Sequence, residues 1–249
     1  MSFGLRTQRT REEELHDAGL TLALLELVAP EGPAGDRLKV AKLLFLATHR
    51  LFSDRVKALN FGFYRYAYGP FTRDLYVTWG ELAWAGLLEV EEGPTGTLRL
   101  TAEGHDAARE FLREVLGRSE NEAVLRALHL VADAEASAPT GTLLRRVYDM
   151  QVTALGTGVR TTIRAAPIGT YFTRPLELGE ARARVAVPTE WLDVFNARLC
   201  RAQGAAAGVA VAQTPEMMRA LRQALEAEAR GEGRFVSLEE VRRTYGIGA

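Results

Sequence analysis

Apolar positions recur at helical spacing along most of the chain and switch to alternation in only a few short runs. The first periodic stretch, Arg11 to Val28, carries Leu20, Leu22, Leu24, Leu25 and Val28 and stops at Pro30-Glu31-Gly32-Pro33. Asp36 then reads as the N-cap of a second helix reaching Phe52. Leu38, Ala41, Leu44, Phe45 and Phe52 make its stripe, and Leu43, Leu46 and Leu51 widen it, which predicts a central, mostly buried helix. The run from Phe61 to Tyr68 is extended. Period-two placement puts Phe61, Phe63, Arg65 and Ala67 on one face and Tyr64, Tyr66 and Tyr68 on the other. Gly69-Pro70 breaks that run, and Pro70 suits the first position of a helix predicted over 71–85, with Leu75, Trp79, Leu82 and Ala83 in step. Leu87–Val90 and Thr97–Thr101 alternate around Gly93-Pro94-Thr95-Gly96 as a hairpin, and a helix over 102–116 follows.

Helix, helix, helix, hairpin, helix is the order of a winged-helix unit with the hairpin as its wing. Two more helices are predicted, over 119–136 and 140–150, separated by Ser137-Ala138-Pro139. From Thr153 to Glu177 the chain is punctuated by Gly156, Gly158, Pro167, Gly169 and Pro175, with one alternating run at Val159–Arg164. Beyond it the pattern predicts a strand over 183–187, a helix over 189–203, a strand over 208–212, a helix over 215–230, a strand at 235–236 and a helix over 238–245. The expected fold is mainly α with a small β wing. A winged-helix-like domain over 1–150 would be joined by a linker at 151–181 to a smaller α+β region over 182–249.

Composition narrows the classes without choosing one. The chain has 249 residues, 47% apolar and 25% charged, as an ordinary globular protein does. The amino terminus has no apolar segment of the signal-peptide kind, no stretch reaches membrane-spanning length, and a cytoplasmic protein is expected. Cys200 is the only cysteine, which rules out an internal disulfide and a multi-cysteine cluster; it reads as a small core residue of its helix. The net charge of −1 conceals signed blocks. Residues 36–75 carry +5, residues 76–136 carry −7, and residues 137–184 carry +4.

Nothing in the sequence marks a catalytic centre. His16, His49, His105 and His129 lack metal-ligand spacing, and no nucleophile elbow, phosphate loop or dinucleotide fingerprint is present. The expectation is a non-enzymatic protein without metal or cofactor. As a DNA reader the presumed recognition helix offers Arg73 against Asp74 and Glu81, and the wing offers Arg99 against Glu89, Glu91 and Glu92. Such a face repels phosphate. A separate nucleic-acid surface around Arg145, Arg146, Arg160 and Arg164 is the alternative, as a transcriptional regulator. The aromatic density of Phe61–Trp84 points instead to a protein-binding patch formed by Tyr64, Tyr66, Tyr68, Gly69, Pro70, Arg73 and Tyr76, because Tyr and Arg carry much interface energy. The plainer reading, that these rings only staple the wing and helices together, stands beside it. A homo-oligomer is compatible with either.

The same residues carry a family likeness. Leu38-Lys39-Val40-Ala41-Lys42-Leu43-Leu44-Phe45-Leu46, then Phe63-Tyr64-Arg65-Tyr66-Ala67-Tyr68-Gly69-Pro70-Phe71 and Asp74-Leu75-Tyr76, resemble the Panacea domain, which includes SocA-like antitoxins and many phage-associated proteins. Leu87-Leu88-Glu89 and Leu100-Thr101-Ala102-Glu103-Gly104 are similar to the end of related winged-helix proteins. The likeness covers residues 15–115 and centres on Tyr68-Gly69-Pro70; the chain has Tyr66-Ala67 where the family usually has a Trp-Lys or similar pair. A tail over Leu221–Ile247, with Gly233-Arg234-Phe235-Val236-Ser237-Leu238-Glu239-Glu240-Val241, is similar to the ends of Phd- and RelB-type antitoxins. Together these imply a protein that neutralises a toxin partner by binding it, without catalysis.

Overall fold

A computed structural model describes residue 6, residues 8–91 and residues 96–206. The chain divides into two compact units, Met1–Ala202 and Gln203–Ala249. The architecture of the described residues is α-rich with small sheets. The elements predicted beyond residue 206, and the antitoxin-like tail, lie outside the described residues.

Helix α1 (Arg11–Val28) is closed by a capping box in which Thr10 and Glu13 satisfy each other's backbone amides. It is buried from Leu15 to Glu26 because α3 (Asp74–Trp84), α4 (Ala102–Glu110) and α5 (Glu122–Glu135) all pack on it. Helix α2 (Arg37–Ser53) starts at Asp36, whose carboxylate accepts from the Lys39 amide at 2.6 Å, and it packs against α5 and α6 (Thr140–Asp149). Two helices, rather than α2 alone, therefore form the centre. Gly19 on α1 makes the room: a Cβ there would sit 2.9 Å from the Phe111 ring, which belongs to the π-helical turn Phe111–Leu116 that continues α4. The stretch expected as one helix over 102–116 thus changes winding at Phe111.

The hairpin β5 (Leu88–Val90) and β6 (Thr97–Leu100) forms as predicted, and β1 (Gly35–Asp36) extends it to a three-stranded sheet of order β1-β6-β5. Gly104 lets α4 abut this sheet, since a Cβ there would fall 1.9 Å from the Leu87 carbonyl oxygen. Strand β2 (Val56–Lys57) pairs in parallel with β9 (Ala183–Arg184). Strand β3 (Tyr64–Tyr66) pairs with β4 (Gly69–Phe71), and β7 (Gln151–Thr153) with β8 (Arg160–Thr162).

Three expectations change here. Pro70 does not open the third helix; it lies in β4, opposite Arg65, and α3 begins at Asp74. A proline φ suits a strand as well as a first helical turn, and pairing with β3 decides between them. The segment 151–181 is no linker within the first unit. Its Ile163, Phe172 and Leu176 are buried, the Arg65 amide donates to the Thr170 carbonyl at 2.8 Å, and the Phe172 amide donates to the Phe63 carbonyl at 2.8 Å. Its Gly156, Gly158 and Gly169 are exposed and take positive φ where this irregular strap bends. Helix α7 (Thr189–Ala206) follows, with Phe195 and Leu199 buried and Trp191 stacked on Phe195 at 4.5 Å. Cys200 is exposed rather than in the core, one step past that stripe. Among the described residues no helix is long and apolar enough to cross a membrane.

Beside these backbone bonds, one buried hydroxyl of the strap bonds twice to the approach to β3. Thr173 donates to the Phe61 carbonyl at 2.8 Å and accepts from the Phe63 amide at 3.0 Å. Thr173→Val keeps the shape and leaves both backbone groups buried without that partner, which should destabilise the protein by about 2–4 kcal/mol in urea unfolding. A loss below about 0.5 kcal/mol contradicts this role.

Candidate functional site

The period-two pattern of the aromatic run is realised from Phe61 to Tyr66 and ends at the turn, where Ala67, expected on the inner face, is exposed. Phe61, Phe63 and Arg65 are buried while Tyr64, Tyr66 and Tyr68 are half-buried. Phe63 meets Phe45 edge-on at 5.3 Å, and Phe45 meets Phe172 at 6.3 Å, so the inner face belongs to the core. The outer rings form a continuous ladder. Tyr171 lies 5.4 Å from Tyr64, Tyr64 lies 5.8 Å from Phe71, and Tyr66 lies 5.3 Å from Phe71. Phe71 then lies 5.9 Å from Tyr76, and Tyr76 is anchored edge-on, at 5.4 Å, to Trp79 of the core. Edge-on and tilted contacts at these separations are favourable for aromatic pairs. On α3 the ladder widens to Tyr76, Val77 and Trp84, all exposed large hydrophobics, 45%, 53% and 42% accessible.

The Tyr66–Gly69 turn is built on buried cations. Gly69 has φ +90°, a conformation that favours glycine, and a Cβ there would lie 3.7 Å from the Lys42 and Tyr148 side chains. Lys42, 2% exposed, donates to the Pro70 carbonyl at 2.7 Å. Arg65, 8% exposed, donates to the Tyr66 and Ala67 carbonyls and lies over the Tyr148 ring at 5.4 Å, while Tyr148 donates to the Ala67 carbonyl at 3.1 Å. Neither cation has a carboxylate within ion-pair distance among the described residues. Burial, aided by the neighbouring Arg65 charge, pushes the Lys42 ammonium down to about 7.

Beside the ladder opens a cleft of about 540 Å³ lined by Arg9, Glu14, Tyr64, Arg73, Asp74 and Tyr171 among others. Arg9 donates to Asp17 at 2.8 Å, approaches Asp74 at 3.5 Å and covers the Phe61 ring at 5.2 Å. Asp17 is fully buried and also accepts from the Asn60 amide at 2.7 Å. Burial pushes the Asp17 carboxyl up to about 7 against the opposing pull of Arg9 and Asn60.

Of the expected protein-binding residues, Tyr64, Tyr66, Tyr68, Gly69, Pro70, Arg73 and Tyr76 all lie on or next to this one hairpin and the start of α3. Gly69 and Pro70 are buried and act as its frame rather than as contact surface. Arg9 and Tyr171 join the site from both flanks, and sequence reading missed them. The Tyr171-Phe172 pair, whose two rings face out and in like Tyr64 and Phe63, was the available signal for Tyr171; nothing local marked Arg9. The basic residues expected for nucleic acid fare differently. Arg146 pairs with Glu135 at 2.8 Å and Arg164 with Asp149 at 2.8 Å, whereas Arg145 and Arg160 are exposed without ion pairs among the described residues. Among the described residues no group of three or more His, Cys, Asp and Glu side chains is placed to hold a metal ion. No protein-family model, no curated protein and no solved structure matches this chain.

The Lys42 burial has a titration consequence. Between pH about 7 and 10.5 the unfolded lysine holds a proton that the folded one has released, so stability rises with pH across that window, by at most about 1.4 kcal/mol per pH unit. Below about 7 both states are protonated and the burial penalty is complete. Urea unfolding at pH 7 and 9.5 should show greater stability at the higher pH, and Lys42→Met should remove the difference. An equal rise in the variant contradicts the assignment.

Proposed function

We propose that this chain is a non-enzymatic interaction protein that docks a protein partner on the aromatic ladder, in the manner of an antitoxin neutralising its toxin. The observation that carries the reading is the continuity of the ladder. Five rings, Tyr171, Tyr64, Phe71, Tyr66 and Tyr76, adjoin one another at the surface, and the last stands on α3 with the exposed Val77 and Trp84. Exposed apolar surface of this kind, rimmed by polar residues, is the usual mark of a protein contact.

The mode of docking follows from the edge of β4. A strand added there would need free backbone groups, but Pro70 has no N–H and its carbonyl is taken by Lys42. Recognition is therefore by side chains lying across the rings. We read α1 to α3, the β5–β6 hairpin and α4 as a winged-helix-like arrangement, supported by their order along the chain. In that arrangement α3 stands where a DNA reader carries its recognition helix, and its outward residues are Tyr76, Val77 and Trp84. Helices that contact phosphate carry cations at such positions. The internal pairing of Arg146 and Arg164 also weakens the alternative as a nucleic-acid regulator.

The reading is tested in cells by coexpression with the reading frame beside its gene. That frame alone should arrest growth, the wild-type chain should restore it, and Tyr76→Ala should weaken binding of the product at least 10-fold while Arg145→Ala leaves it unchanged. In a gel-shift assay the purified chain should give no retarded band with random-sequence duplex at moderate salt. A band that weakens steeply as salt rises would favour the regulator instead.

A further inference from the structure

The cleft at the Tyr64 end of the ladder has an uneven distribution of charge. Among the described residues four charged side chains line it: Arg9, Glu14, Arg73 and Asp74. Three of them are engaged within the protein. Arg9, with its side chain 4% exposed, is held by Asp17 at 2.8 Å and by Asp74 at 3.5 Å. Glu14 is held by Arg11 at 3.1 Å. Arg73 remains, exposed and without an ion pair among the described residues, although Asp74 is its neighbour in sequence. The N-terminal end of α3 is the reason. Arg9 draws Asp74 inward, and Arg73, at the N-cap, makes no side-chain capping bond. An anion at this point meets both a free guanidinium and the positive end of an 11-residue helix.

We infer that the cleft receives an aspartate or glutamate side chain of the docked partner, bound by Arg73, with an apolar or aromatic neighbour of that residue lying on Tyr64, Phe71 and Tyr76. The inference rests on the docking reading above and adds the chemistry of the partner. A carboxylate fits better than a phosphate. Among the described residues the cleft offers one free cation and keeps the Glu14 and Asp74 carboxylates beside it, which oppose a dianion or a polyanion more than a single negative charge. The volume of about 540 Å³ accommodates one or two side chains, and the tilted Tyr64–Tyr171 pair supplies an apolar wall. Arg presents a planar fork to a carboxylate and often takes it with two bonds, so a lysine at this position is not an equivalent.

The test selects 12-residue peptides from a random phage-displayed library on the immobilised full-length chain, then measures synthetic versions by fluorescence anisotropy. Selected peptides should be enriched in Asp or Glu adjacent to Leu, Phe, Tyr or Trp. Arg73→Ala should weaken their binding at least 10-fold, and replacing the peptide's acid by its amide should weaken it equally. Arg73→Glu should abolish binding of the acidic peptide and admit one carrying lysine in its place. Arg73 is exposed, and circular dichroism unchanged from wild type confirms that the variants fold. If selected peptides are weakened by Tyr76→Ala but are indifferent to Arg73, the acidic partner is wrong and the docking surface stands. If they are indifferent to both residues, or if none is enriched, the docking surface itself is wrong and the inference falls with it.

Discussion

The Phe61–Phe63 backbone is held from more than a hundred residues away by the Thr173 hydroxyl, which gives a bond to the Phe61 carbonyl and takes one from the Phe63 amide. Because a strand alternates its faces, holding these residues in this register decides the direction of every ring that follows. Phe61 and Phe63 enter the core, and Tyr64 and Tyr66 are turned outward. The strap that carries Thr173 also brings Tyr171 alongside Tyr64. A slip of one residue would bury tyrosines and expose phenylalanines.

The opposite side of the hairpin is maintained at an electrostatic cost. Lys42 and Arg65 are both cationic residues removed from water, and both are directed at backbone carbonyls of the turn rather than at carboxylates. Such an arrangement is poor as a source of stability. It does close the β4 edge and brace the tight turn at Gly69, so the hairpin presents side chains and withholds its backbone. Fold and proposed use thus meet in the same few residues.

The limits of α1 and the start of α2 were legible because they are local: breakers at Pro30 and Pro33, and a capping aspartate at Asp36. The alternation of Phe61–Tyr66 was legible for the same reason, and it placed Tyr64 and Tyr66 on the outer face, although it also put Ala67 inside, where the turn exposes it. What sequence reading missed is set by distant pairing. Pro70 suits two conformations equally, and only β3 chooses between them. The glycines and prolines of 151–181 look like a linker until Thr170, Phe172 and Thr173 are seen bonded to β3 and its approach. The availability of Arg73 depends on Asp74 being claimed by Arg9, a contact across 65 positions that no spacing rule anticipates.

Whether another protein sits on the ladder is read by site-specific photo-crosslinking in cells that express the chain. Benzoylphenylalanine in place of Tyr76, on the ladder, is compared with the same probe in place of Leu130, which is similarly exposed, at 43%, on α5. A discrete protein adduct is expected from position 76 and none from position 130. Equal labelling at both positions, or an adduct at 76 that nuclease rather than protease removes, would contradict it.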